Sequence, residues 1–141
     1  MKDLLLLALV ILGGALLLRL ARRVLTPAQT HLEAQAAPWT TLTAQEAKRR
    51  LDEASDIILL DVRTQAEYDG GHIPGAVCLP LETFADGELA ALLPDKHAEI
   101  FVYCRSGRRS ARAARLLTDQ GYTAVTDFGG ILDWPYETTQ E

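Results

Sequence analysis

The chain is poor in sulfur and lacks any pattern that would tie it to a metal. Its 141 residues hold two cysteines and one methionine. Cys78 and Cys104 form no CxxC pair and no metal-ligand spacing, so no metal is expected. No other cofactor is expected either. Nor is a disulfide needed, because a domain of about 100 residues buries a core without one. An excess of positive charge is also missing. The net charge is −5, and the segment from residue 38 onward carries ten Lys/Arg against seventeen Asp/Glu. An acidic domain of this kind argues against a nucleic-acid partner. There is no internal repeat, and the length fits one globular domain.

Charge is absent altogether from Leu4 to Leu18, fifteen apolar residues in a row. Extended to Ala21, the run is eighteen residues, about 27 Å as a helix at ~1.5 Å per residue. A bilayer core is about 30 Å, so residues 1–25 are expected to form a single-pass transmembrane anchor, with Arg19 reaching the interface. Lys2 and Asp3 nearly cancel before the run, while Arg19, Arg22 and Arg23 follow it. Positive flanks stay cytoplasmic, which puts the domain in the cytoplasm. The alternative is an exported domain, anchored or released by cleavage. Ala34-Gln35-Ala36 has the A-x-A form, but lies sixteen residues past Leu20. Residues 26–38, with Pro27, Pro38 and several Ala and Gln, read as a linker, and 39–141 as the domain.

What the domain does have is one basic loop. Cys104-Arg105-Ser106-Gly107-Arg108-Arg109 follows the apolar run Ile100–Tyr103 and precedes Ser110–Leu117, which has the composition of a helix. A thiol between a strand end and a helix start meets converging backbone N–H groups and the positive end of the helix dipole. Such surroundings bring a cysteine from about 8.5 to ~3.5–7.5, and hence to the reactive thiolate. The arginines at 105, 108, 109, 112 and 115 add to that field. The pattern predicts a cradle for a small anion with nucleophilic Cys104 at its base. At least one of Arg105, Arg108 and Arg109 is expected to touch that anion, with Arg112 and Arg115 on a solvated face.

Elsewhere, Thr43 and Glu46 predict a capping box ahead of an Ala47–Leu51–Ala54 stripe. Ile57–Val62 and Ala76–Leu79 predict strands, with Gln65–Tyr68 a short helix between them. A helical stretch near Glu88–Leu93, a helix from Arg109 to about Gln120 and a strand at Ala124–Asp127 follow. Phe128–Trp134 reads as a loop running into a short helix. Alternating strands and helices predict an α/β sandwich with a parallel sheet, where ligands bind beyond the carboxyl ends of strands.

Several segments together resemble the rhodanese sulfurtransferases, from about Thr41 to Tyr136. They are Leu60-Asp61-Val62-Arg63, Glu67-Tyr68, Gly71-His72-Ile73-Pro74-Gly75-Ala76, the active-loop-like Tyr103–Ser110, and Phe128–Trp134. The resemblance implies a three-layer sandwich around a mainly parallel five-stranded sheet. It also implies a reaction, in which Cys104 takes sulfane sulfur from a donor such as thiosulfate, forms a persulfide, and passes the sulfur to cyanide, a thiol or a protein acceptor. Backbone N–H groups of residues 105 to 109 would stabilise the persulfide and the departing sulfite.

Phosphatases and arsenate reductases of related fold fit less well. The position that holds a phosphate-clamping Arg in those enzymes is Ser110 here. Two further readings stay open: a persulfide carrier with little turnover, and a non-catalytic domain that docks an anion on the basic loop. Asp61 is expected as a buried acceptor and Arg63 in an ion pair with Glu67, both supporting the site. Ser110 is expected to cap the helix or sit in its first turn, and His72 to shape its loop rather than act as a base. Gly129-Gly130 is expected to let backbone approach the active loop. Cys78 stands where the family has Asn, as a small hydrophobe or a second redox thiol.

Overall fold

The computed structural model describes residues 37–85 and 87–141. The expected anchor and nearly all of the linker lie outside these residues. Among the described residues, no helix is long and apolar enough to cross a membrane.

Five parallel strands make one sheet: β1 (Thr40–Thr41), β2 (Ile58–Asp61), β3 (Val77–Cys78), β4 (Glu99–Cys104) and β5 (Ala124–Gly130). Their spatial order is β1-β5-β4-β2-β3, so β4 is the central strand. The helices are α1 (Ala44–Glu53), α2 (Gln65–Asp69), α3 (Glu88–Leu92) and α4 (Arg108–Asp119), with 3₁₀ turns at Leu81–Thr83 and Ile131–Asp133. Apolar side chains cover both faces of the sheet, as the continuous aliphatic runs demand. On one face Leu60, Val62, Ile100, Val102 and Cys104 pack with Ala113, Ala114 and Leu117 of α4 and Leu89 of α3. On the other, Leu59, Phe101, Tyr103 and Phe128 pack with Ala44 and Ala47 of α1 and with Trp134. The result is the expected three-layer sandwich.

Local signals place the helix starts. Thr43 with Glu46, and Thr64 with Glu67, each form a complete capping box, satisfying backbone N–H groups that the first helical turn leaves free. One expectation needs correction: Gly129 and Gly130 belong to β5 rather than to a loop. The edge strand β1 adds a strand that the apolar runs do not announce. Helix α4 starts at Arg108 with Gly107 as its N-cap, which leaves Ser110 in the first turn, one of the two places expected for it.

Candidate active site around Cys104

The central strand β4 ends at Cys104, and the chain then turns through Arg105-Ser106-Gly107 into α4. That turn needs Gly107 in the left-handed region, at φ 96°, which an L side chain adopts only under strain. The turn folds the loop back over the sulfur, so that only 1% of Cys104 is exposed. The Gly107 N–H donates to Sγ at 3.1 Å. Burial by itself raises the thiol. The N–H and hydroxyl of Ser110, with the N–H groups of Gly107 and Ser106, outweigh it and hold Cys104 below the ordinary cysteine value.

The loop rests on the glycines of β5. A Cβ at position 130 would lie 2.6 Å from Ser106 Cα and from the Arg105 carbonyl carbon, closer than real contacts allow. The Leu132 N–H donates to the Arg105 carbonyl at 3.2 Å, tying the loop to the 3₁₀ turn after β5. The β4–β5 register also slips between Val102 and Cys104, which pairs Cys104 with Gly130. The expected close approach at Gly129-Gly130 is therefore present, and Gly130 is its contact point. Ser110, fully buried, donates from Oγ towards the carbonyls of Gly107 (3.0 Å) and Gly129 (3.1 Å).

The arginines divide into two groups. Arg109 forms a two-pronged pair with Glu67 of α2, at 2.6 and 2.7 Å, and Arg115 lies 3.9 Å from Asp119. Among the described residues, no carboxylate lies within ion-pair distance of Arg105, Arg108 or Arg112. A pocket of ≈ 370 Å³ opens beside the loop, lined by Leu81, Ser106, Arg108, Arg109 and Arg112. Unpaired positive charge at the mouth thus comes from Arg108 and Arg112, with Arg105 exposed on the same loop, while Arg109 is already paired in this structure.

The expected Arg63–Glu67 pair is not formed. Arg63 pairs with Asp61 at 2.6 Å, both buried, and its other bond reaches the Gly71 carbonyl at 2.8 Å. Asp61 also accepts the Arg63 backbone N–H at 3.0 Å. Sequence neighbours two residues apart complete this pair, and Glu67 is left for Arg109. The Tyr103 hydroxyl accepts the Ile73 N–H at 3.1 Å beside Asp61, which ties the loop of Gly71–Ala76 to the end of β4. Asp61 and Arg63 therefore brace β4 from the face opposite Cys104. His72 also serves structure: it stacks on Tyr68, with ring centroids 3.6 Å apart, and its Nδ1 lies 3.0 Å from the Tyr68 carbonyl oxygen.

Both cysteines are free thiols. Cys78 is in register with Asp61, and Asp61 with Tyr103, so Cys78 sits two strands from β4 and shares the face of Tyr103. Two strand spacings are about 9.6 Å, beyond the ~7 Å Cα separation a disulfide tolerates, and Cys104 points to the other face. Burial, then the charges of Asp61 and Asp69, push the Cys78 thiol up to about 11. Sequence reasoning missed two residues near the site: Glu67 as the partner of Arg109, and Asp127, described below.

Residues 43–136 match the family described as Rhodanese-like domain. The chain is 33% identical over 118 residues to the putative sulfur carrier protein YrkF of Bacillus subtilis, covering 83% of this chain and 62% of that protein. It is 38% identical over 74 residues to thiosulfate sulfurtransferase PspE of Escherichia coli, covering 52% of this chain and 70% of that one. Among solved structures, a rhodanese with anions from E. coli superposes with a TM-score of 0.55 at 33% identity, over 60% of this chain and 99% of the other. With the parallel sheet, the Cys104 loop on its central strand and a family match across 43–136, the chain belongs to the rhodanese family.

Proposed function

We propose that this protein is a sulfurtransferase that carries sulfane sulfur on Cys104. The observation that carries the reading is the ring of N–H donors around a buried sulfur, headed by Gly107 at 3.1 Å, which favours the thiolate. In the first step that thiolate attacks the sulfane sulfur of an anionic donor such as thiosulfate. A new S–S bond forms on Cys104, the sulfur–sulfur bond of the donor breaks, and sulfite leaves with the electron pair. In the second, a thiol or cyanide attacks the outer sulfur and Cys104 departs as thiolate. The loop N–H groups meet the anionic outer sulfur, and the exposed Arg105 and Arg108 meet the sulfonate end of the donor. Once Cys104 is ionised, neither step takes a proton from it, so the chemistry asks no general base of His72.

Mixing thiosulfate, cyanide and the full-length protein should release sulfite and thiocyanate, and Cys104→Ser should abolish both. Release by the variant would contradict the assignment. The 1% exposure of Cys104 and the likeness to a putative sulfur carrier favour a second reading, in which the persulfide waits for a protein acceptor. Rapid loading with slow release to small thiols would mark that case.

The apolar run Leu4–Leu18, with Arg19, Arg22 and Arg23 behind it, supports a further proposal: a membrane anchor with a cytoplasmic domain. Detergent-dependent extraction and a C-terminal reporter active only in the cytoplasm are the expected results. A reporter active only outside would place the domain on the exported side.

A further inference from the structure

Asp127 is a buried carboxylate that the chemistry above leaves unused. It is 7% exposed, and among the described residues no Lys or Arg lies within ion-pair distance of it. Register fixes where it points. Asp127 pairs with Val102, and Val102 shares the α4 face of the sheet with Cys104 two residues on. The carboxylate therefore lies under the active loop, on the same face as the nucleophile.

Its polar neighbours connect it to that nucleophile. Asp127 Oδ1 accepts the Gly129 N–H at 2.9 Å. The carbonyl of the same glycine accepts from the Ser110 hydroxyl at 3.1 Å. That hydroxyl also reaches the carbonyl of Gly107 at 3.0 Å, and the N–H of Gly107 donates to the Cys104 sulfur at 3.1 Å, so Ser110 links the Asp127 turn to the loop around the nucleophile. Ser110 has one hydroxyl proton and four groups able to accept it.

We propose that Asp127 is a positioning residue for sulfur transfer, acting through Gly129 and Ser110 to set how strongly the loop holds negative charge on the Cys104 sulfur. The proposal rests on the sulfur-transfer reading and deepens it. An ionised Asp127 draws the Ser110 proton away from sulfur and adds a second negative charge in a site shielded from water. A neutral side chain there frees the hydroxyl to donate to the thiolate. Among the described residues, the other charged groups of the elements around Cys104 are Arg109 of α4, held by Glu67 of α2 with Glu82 nearby, Arg112 of α4, and the loop residues Arg105 and Arg108. Among the described residues, the Asp127 carboxylate has Gly129 and Ser110 as its polar neighbours, and its backbone carbonyl accepts the Leu42 N–H.

The consequence is a trade between the two half-reactions. A thiolate of higher pKa attacks the donor better but leaves the persulfide less readily. By holding the thiol up, Asp127 favours loading over release.

Asp127→Asn in the full-length protein keeps an acceptor for the Gly129 N–H and removes the charge. Alkylation of Cys104 as a function of pH should then show its midpoint about one pH unit lower. Above both midpoints, loading from thiosulfate should slow by about threefold while release to a thiol speeds up by a similar factor. A merely structural lesion slows both steps, and an unmoved midpoint or two slowed steps would overturn the proposal. Should the variant fail to fold, the Asp127 carboxyl can be titrated by ¹³C NMR in the wild type and in Cys104→Ser. Coupling is reciprocal, so the Asp127 carboxyl signal of the wild type should show an inflection at the Cys104 alkylation midpoint that is missing from Cys104→Ser, and identical titration curves would overturn the proposal. Failure of the wild type to load at all would instead count against the sulfur-transfer reading, with the alkylation midpoints still deciding the coupling.

Discussion

Cys78 and Cys104 show how far one sheet can separate two copies of the same side chain. Cys104 has backbone donors directed at its sulfur and sits on the face of α4. Cys78 lies beside Asp61, and its thiol donates weakly to the Arg63 carbonyl at 3.9 Å. With its thiol pushed up to about 11, Cys78 should stay unmodified at neutral pH while Cys104 reacts. Peptide mapping after brief iodoacetamide treatment at pH 7 checks this, and preferential labelling of Cys78 would contradict it. Gly130 is the other residue where a single atom decides the outcome. Gly130→Ala places a methyl group 2.6 Å from Ser106 Cα, so the loop must lift off β5. The cost falls in the range of roughly 1–3 kcal/mol for overpacking, seen as a lower denaturation midpoint, together with loss of thiosulfate turnover. Wild-type activity in that variant would show that the loop does not need its seat on β5. The role of this glycine was legible in advance because two adjacent glycines beside an active loop have few other uses. Asp127 was not, since the sequence shows only one more residue of a strand.

At the scale of elements, α2 and α4 are clasped by Glu67 and Arg109, residues 42 apart in sequence. Glu67 does two jobs at once, closing the α2 capping box through Thr64 and pairing with the start of α4. The Arg109 guanidinium, helped by the Thr64 groups against a smaller burial cost, holds the Glu67 carboxyl down to about 2 from 4.5. A carboxylate lowered in the folded state stabilises it above the unfolded value, and that stability is lost as pH falls towards the folded value. The stability gap between wild type and Glu67→Gln should therefore be widest above pH 4.5 and close as pH approaches 2. Urea denaturation across that range measures it, and a gap independent of pH would refute the assignment. The same variant frees Arg109, so the Michaelis constant for thiosulfate should fall. The sequence suggests Glu67 as the ion-pair partner of Arg63, and the ion pair is formed with a different partner. Arg63 precedes α2 and turns back to Asp61 instead. The capping boxes were legible because they are local, and the clasp was not because tertiary folding alone brings its halves together.

For the molecule as a whole, the order β1-β5-β4-β2-β3 puts the Cys104 loop on the central strand, flanked by β5 and β2. Those two strands supply its supports, Gly130 and Asp127 on one side and the Asp61–Arg63 pair on the other. The strands β2, β3, β4 and β5 were visible as apolar runs between turn residues. Strand β1 was hidden because Thr40 and Thr41 are two exposed polar residues at the sheet edge, held by pairing with Thr126 and Asp127. The alternation of strands and helices gave the layers, and the family motifs gave the strand count. Nothing local could give the β4–β5 register slip that sets Cys104 against Gly130. The central claim is that this arrangement makes Cys104 a carrier of sulfane sulfur. Its most direct test is the intact mass of the full-length protein after incubation with thiosulfate, beside Cys104→Ser. A gain of one sulfur atom, removed by cyanide and absent from the variant, is the predicted result. An unchanged mass in folded wild-type protein with a free Cys104, or the same gain in the variant, would contradict it.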